Sequence, residues 1–227
     1  MNTGLDRALR QGLGDLGLAL SDAQIACLLD YLALIQKWTK VYNLTAVRDA
    51  SEMLSHHLLD SLAVIGPLTS RLQSATGADR SADAATRSLR LLDVGSGAGL
   101  PGVVIAICCP HIQVHCVDTV AKKAAFIQQV AAALRLPNLR GLHRRVEQIV
   151  EPYDIISARA FASLADFTSW SVAALAPRGI WMAMKGKNPA DELAALPQTV
   201  DVFHVEQLKV PQLDAERCLV WMRRAQA

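Results

Sequence analysis

The sequence predicts an α/β fold: a mostly parallel sheet covered by helices on both faces, preceded by an N-terminal helical extension. Three observations carry this. After residue 88, short apolar runs of strand length alternate with amphipathic helix-length stretches, which is the pattern of a parallel sheet wrapped on both sides. The first of these runs opens into a glycine turn, "LLDVGSGAGLPG", at residues 91–102. Before residue 73 the periodicity is helical throughout. The expected organisation is a helical part over residues 1–72, a connection over 73–88 and a ligand-binding domain over 89–227.

Composition limits the alternatives. Of 227 residues, 52% are hydrophobic and 19% charged, a balance that excludes a disordered chain. The formal net charge of +2 neither demands nor excludes a polyanionic partner, so local charge distribution has to decide. No apolar run reaches bilayer length, and the start "MNTGLDRALRQGLGDLGLAL" is broken by an acid and glycines where a secretory segment needs continuity. No membrane partner is expected, and the cytoplasm is the expected location.

The five cysteines include no CxxC pair, which points to reduced thiols. In "CCPHIQVHC", strand alternation sends His111 and His115 to one face and Cys116 to the other, so the set does not converge on a metal, and none is expected.

The elements follow in order. "LSDAQIACLLDYLALIQKW" has Ser21 and Gln24 at capping-box spacing, then Ile25, Leu28, Leu29, Leu32 and Ile35 at helical intervals. Asp49 and Glu52 repeat the cap spacing, and Leu54, Leu58, Leu62 and Ile65 continue an apolar face that Gly66–Pro67 is expected to stop. The stretch 73–88, "QSATGADRSADAATRS", is small and polar and reads as a loop. "LRLLDV", "IQVHCVD", "DIISA" and "GIWMAMK" read as strands, separated chiefly by the helical "TVAKKAAFIQQVAAALRL" and "SLADFTSWSVAALAP". In the tail, "QTVDVFHVEQLKV" and "RCLVWMRR" offer two more strands.

The glycine loop is the chemical centre of the sequence. A strand, a glycine turn and a helix form the context of a nucleotide cradle, since glycine lets backbone amides approach a ligand. The spacing from Gly95 is G-x-G-x-G, through Gly97 and Gly99, where the dinucleotide fingerprint needs G-x-G-x-x-G and finds Leu100. Asp93 precedes the loop, and Asp118 closes the next strand, where an acid accepts hydrogen bonds from ribose hydroxyls. Asp118 can equally cap the following helix, and the two roles are compatible.

"LLDVGSGAGLPG" resembles the cofactor loop of class I S-adenosylmethionine-dependent methyltransferases. Its "GAGLPG" ending resembles one family, the bacterial small-subunit ribosomal RNA methyltransferase G, also called glucose-inhibited division protein B. "KVYNLTAVRD", "HLLDSLAV", "VEQI", "ARAFASL", "MKGK" and "LDAERCLV" follow in that family's order, so the resemblance runs from about Ser21 to Val220. It implies a Rossmann-like class I methyltransferase sheet, S-adenosyl-L-methionine as cofactor, and 16S ribosomal RNA or the small ribosomal subunit as partner. It sets Gly95 and Leu100, with Gly97 between them, against the cofactor. Val146 and Glu147 would cup the adenine, Arg159 would stand in the cofactor pocket, and Asp118 matches the family's aspartate after the second strand. Ala158 replaces an expected serine and Cys218 an expected histidine; neither holds an assigned position.

The implied reaction is methyl transfer to N7 of a guanine. That nitrogen carries an in-plane lone pair and no proton, so no general base is named, and catalysis rests on positioning. For RNA, "RLPNLRGLHRR" holds four arginines and no acid, and its last member, Arg145, runs into "VEQ"; Lys185 and Lys187 follow a strand end. Arg145 and Lys185 are the expected phosphate contacts. His56, His57 and Asp60 are expected to pack at the junction, and Trp38, Trp170, Trp181 and Trp221 to serve the core or junction. An NAD-dependent oxidoreductase shares the loop and the ribose acid. A non-catalytic RNA-binding protein with this fold, or methylation of a small molecule or protein, are the other readings.

Overall fold

The computed structural model describes residues 3–76 and 88–225. The N-terminal part opens with α1 (Thr3–Asp15) and α2 (Asp22–Tyr42). The predicted capping box starts α2: Ser21 Oγ accepts from the Gln24 N–H, and the Gln24 side chain accepts from the Ser21 N–H. The amide end of Gln24 also donates to the carbonyls of Ile107 and Cys108 at 3.0 and 3.3 Å, so the cap ties α2 to the sheet layer.

Asp49 caps α3 (Ala50–Met53), accepting from Ser51 N and Glu52 N. The chain continues through a π-helical turn, Leu54–Leu59, then α4 (Asp60–Leu62) and α5 (Ile65–Thr76). Two boundaries differ from expectation. Gly66–Pro67 lies inside the first turn of α5, where proline's missing N–H costs nothing; the break falls just before it, at Ala63 and Val64. α5 also runs to Thr76, past the expected start of the connection at residue 73, while residues 77–87 lie outside the described residues.

The second part contains β1 (Leu89–Val94), α6 (Gly102–Cys108), β2 (Ile112–Asp118), α7 (Ala121–Ala133) and β3 (Leu139–His143). A 3₁₀ turn at Val146–Gln148 leads to β4 (Tyr153–Arg159), α8 (Leu164–Ser171), β5 (Leu175–Lys185), α9 (Ala190–Ala194), β6 (Val200–Leu208) and β7 (Arg217–Arg224). Among the described residues these strands make a seven-stranded sheet in the order β3-β2-β1-β4-β5-β7-β6. β1 to β5 are parallel, and β7 runs antiparallel to both β5 and β6. β3 was hidden in the arginine-rich stretch: Leu139 and Gly141 are buried, while Arg140 between them is exposed.

Strand alternation divides the interior in two. Leu91 of β1, Val114 and Cys116 of β2 and Ile155 of β4 join a core with α6, α7 and the N-terminal helices. Leu92 and Val94 face the other layer, with Val117, Ile156, Leu164 and Phe167. Leu9, Leu28, Leu32, Leu58 and Leu62 share the first core with the sheet, so the N-terminal helices pack as part of the sheet's own cover. The chain leaves β1 for β2 and β3 on one side and returns to β4 on the other. This reversal opens a crevice at the carboxyl ends of β1 and β4. Among the described residues no helix is long and apolar enough to cross a membrane.

Candidate functional site

The glycine turn after β1 occupies that crevice. The N–H groups of Gly95 and Ser96 donate to the Val117 carbonyl at 2.9 and 3.3 Å, which pins the loop to the end of β2. Gly95, Gly97 and Gly99 have φ of 63°, 58° and 93°, a left-handed path that side-chain-bearing residues rarely follow. Their surroundings differ. A Cβ on Gly99 would meet Val103 Cγ2 at 2.4 Å and Ile127 Cδ1 at 2.5 Å, so this glycine serves packing. A Cβ on Gly97 would have only Gly95 O within reach, at 4.0 Å, so its outer face opens on free space. From below, Tyr31 of α2 donates its hydroxyl to the Ala98 carbonyl at 2.6 Å.

The two acids beside the loop have separate functions. Asp93 is fully buried: it accepts from Gly102 N at 3.0 Å and Ser157 Oγ at 2.8 Å, joining the loop's far end to β4. Burial pushes its carboxyl up to about 6, against the opposing pull of those two hydrogen bonds and of Arg159. Asp118 accepts from Gly97 N at 3.1 Å and from Val120 N at 2.8 Å, with Lys123 Nζ at 3.7 Å. It therefore holds the open glycine and the N–H of Val120, the residue that precedes α7, but it does not cap the first turn of that helix as the sequence allowed. A carboxylate has about four acceptor sites, which leaves capacity for a ribose.

The cleft above the loop has a volume of about 510 Å³, within the range of small-ligand sites. Gly95, Gly97, Leu100, Arg159 and Lys185, all predicted, line it. Its other wall comes from the N-terminal part: Leu44, Thr45 and Val47 of the segment after α2, and His56, His57 and Asp60 from the π-helical turn and α4. The wider π turn is a recurrent device at functional sites. His57 Nε2 lies 2.8 Å from Thr45 Oγ1, and burial, then Arg159, hold its pKa below the usual range.

Asp60, only 2% exposed, accepts from Arg159 Nη1 and from Arg217 Nε at 2.7 Å each, and Arg159 Nη1 also donates to the His56 carbonyl at 3.0 Å. Because β7 is antiparallel, its first residue, Arg217, arrives at the same rim as the last residue of β4, Arg159. The junction role expected for Asp60 is thus an ion pair shared by three parts of the chain.

Other predicted residues lie outside the cleft wall. Val146 is buried in the 3₁₀ turn and Glu147 exposed; the turn begins shortly beyond His143, which pairs with Asp118. Arg145, just before it, is exposed. Lys185 departs from its expected part as a free phosphate grip. Its Nζ is 2.7 Å from Glu192 Oε2 and 2.9 Å from the Ala162 carbonyl, so its charge is already matched. Among the tryptophans, Trp181 and Trp221 are buried and Trp38 packs on Phe126. Trp170 departs from the expected core or junction assignment: it is 41% exposed beside Phe161. Sequence reading did not single out Arg217 and Phe161, although both sit inside quoted motifs, "LDAERCLV" and "ARAFASL". Ala158 and Cys218 are both buried, so the two departures from the family pattern are packing positions.

Comparison with known proteins adds the following. Residues 24–220 match the family described as rRNA small subunit methyltransferase G. The chain is 69% identical over 221 residues to the ribosomal RNA small subunit methyltransferase G of Albidiferax ferrireducens, covering 97% of this chain and 98% of the relative. It is 65% identical over 223 residues to the protein of the same name from an Acidovorax species, covering 98% and 96%. Among solved structures, TrmN from Thermus thermophilus aligns with a TM-score of 0.51 at 20% identity, covering 61% of this chain and 44% of that one, a likeness of fold alone.

Proposed function

This chain belongs to the rRNA small subunit methyltransferase G family, and from that premise we propose that it transfers a methyl group from S-adenosyl-L-methionine to N7 of a guanine in 16S ribosomal RNA. The single observation that carries the proposal is the Gly97–Asp118 pair: a glycine whose outer face is open space, hydrogen-bonded to a carboxylate with acceptor capacity left for a ribose. Both features suit a nucleoside cofactor.

Gly95, Gly97 and Leu100 form the floor of the cofactor site. Asp118 would accept from the ribose hydroxyls, Val146 and Glu147 would bound the adenine, and Arg159, which lines the cleft, would stand in the cofactor pocket. When bound, the cofactor supplies an electrophilic methyl on a sulfonium. The protein's own work is to bind and align. Guanine N7 would bond the methyl through its lone pair as the methyl–sulfur bond breaks and S-adenosylhomocysteine leaves; N7 gives up no proton, so no side chain has to act as a base. Asp60 pairs with both Arg159 and Arg217, offsetting one of their two charges while fixing their direction. Asp93, sealed beneath the loop, holds the β1 turn to β4 without reaching the ligand. Anionic charge beside a sulfonium would favour the ground state over the transition state, and Asp60, the acid that lines the cleft, is turned to two arginines.

The partner is 16S ribosomal RNA or the small ribosomal subunit, met in the cytoplasm. Arg145, exposed at the end of the β3 edge, is the cation suited to a phosphate there. The test is incubation of the purified protein with labelled cofactor and 16S RNA or small subunits, followed by mass mapping of methylguanosine. A single N7-methylguanosine is expected. Transfer to another base or atom, or none from an enzyme that binds S-adenosylhomocysteine, overturns the assignment.

A further inference from the structure

Phe161 and Trp170 stand among the few large apolar side chains exposed in the described residues, at 36% and 41%, and they are neighbours. Their rings lie 5.9 Å apart at 81°, and Phe161 is backed by the buried Phe167 at 6.4 Å and 80°. The position is built deliberately. Ala160, which lines the cleft, turns out of β4 with φ of 49°, a left-handed conformation unfavourable for a residue with a Cβ and kept where the surroundings demand it. That turn lays the Phe161 ring against Gly95: a Cβ there would fall 2.2 Å from Phe161 Cδ2. Glycine at 95 thus makes room for an aromatic ring at the lip of the cleft.

Folding alone does not explain an aromatic pair held open to solvent at this point. An RNA guanine does supply a reason, so the inference rests on the proposed reaction. Guanine N7 lies on the major-groove edge, and in A-form RNA that groove is too deep and narrow for a protein to enter. The base must leave its stack to be methylated, and it then needs a new face to replace the stacking it has lost. We propose that Phe161 is the stacking site for the unstacked target guanine, with Trp170, its ring nearly perpendicular at 81°, bounding that site on one side.

The experiment compares wild type with Phe161→Leu, which keeps apolar bulk without a π face, and Phe161→Tyr, which keeps the face. RNA KM and kcat are read beside calorimetric affinity for S-adenosylhomocysteine. Phe161→Leu should raise the RNA KM by about tenfold, the order lost when a base–aromatic stack is removed, while cofactor affinity is unchanged and Phe161→Tyr stays close to wild type. Trp170→Ala should raise KM by less. An unchanged KM in Phe161→Leu, or a loss that follows cofactor affinity and that Phe161→Tyr does not rescue, overturns the stacking site. A wild-type enzyme that fails to methylate RNA overturns the underlying function, and the stacking site with it.

Discussion

Asp60 Oδ2 accepts from Arg159 at the end of β4 and Asp60 Oδ1 from Arg217 at the start of β7, both at 2.7 Å. One carboxylate of the N-terminal part thereby fixes the heads of two strands at the cleft rim. Its side chain is 3% exposed and those of the arginines 20% and 23%. Removing the carboxylate leaves two mostly buried cations without their shared counter-charge.

Asp60→Ala is therefore expected to cost about 3 kcal/mol of stability, or roughly 6–12 °C in Tm for a chain of this size. It should also weaken S-adenosylhomocysteine binding by freeing Arg159. Thermal melts with a double-mutant cycle against Arg217→Ala check this. Additive losses from the two substitutions would mean that the pair is not coupled.

The glycines of the loop should separate binding from stability. Gly97→Val is expected to abolish S-adenosylhomocysteine binding while the protein remains folded: its side chain enters open space, so the cost to the fold is the backbone strain at φ of 58°, about 1–3 kcal/mol, without a packing clash. Gly99→Val should instead unfold or strongly destabilise the chain against Val103 and Ile127. Asp118→Asn should weaken cofactor binding by about 1–3 kcal/mol through loss of a charged acceptor. Calorimetry beside circular dichroism distinguishes these outcomes, and full affinity in a folded Gly97→Val protein would remove the loop from the site.

Asp93 carries a pH dependence of definite sign. Its folded pKa, about 6, lies above the ordinary 3.8, so the folded state binds the proton more tightly than the unfolded chain. The resulting stabilisation, about 3 kcal/mol at most, is complete below about pH 4 and lost as pH rises through about 6. Melting wild type and Asp93→Asn between pH 4 and pH 8 should show wild type gaining on the variant as pH falls through that window. A constant difference would mean that the carboxyl is not raised.

Arg145 and Lys185 are expected to behave differently. Arg145→Ala should weaken RNA binding and lower its salt slope by about one phosphate, leaving cofactor affinity intact. Lys185→Ala should leave the slope unchanged and cost about 1 kcal/mol of stability, since Glu192 loses its cationic partner and keeps the Leu164 N–H, while the Ala162 carbonyl loses the ammonium donor. RNA binding at several salt concentrations decides it. A wild-type slope in Arg145→Ala would move the RNA surface to the N-terminal helices.

The sequence by itself determined what is local. The N-caps at Ser21 and Asp49, the strand lengths of β1 and β2, and the G-x-G-x-G spacing of the loop all depend on residues a few positions apart, where spacing and side-chain chemistry are sufficient. Tertiary structure decided what depends on distant segments. β3 was obscured because an edge strand with one exposed arginine has almost no apolar alternation. The antiparallel sense of β7 brought Arg217 to Asp60 across |i−j| of 157 residues, and strand direction is not written in the strand's own residues. Lys185 looked like a free cation until α9 delivered Glu192, and Phe161 met Gly95 only because Ala160 turns the chain against its preference. Side-chain chemistry is legible in one dimension, whereas partnership is a matter of distance, which the packed fold alone sets.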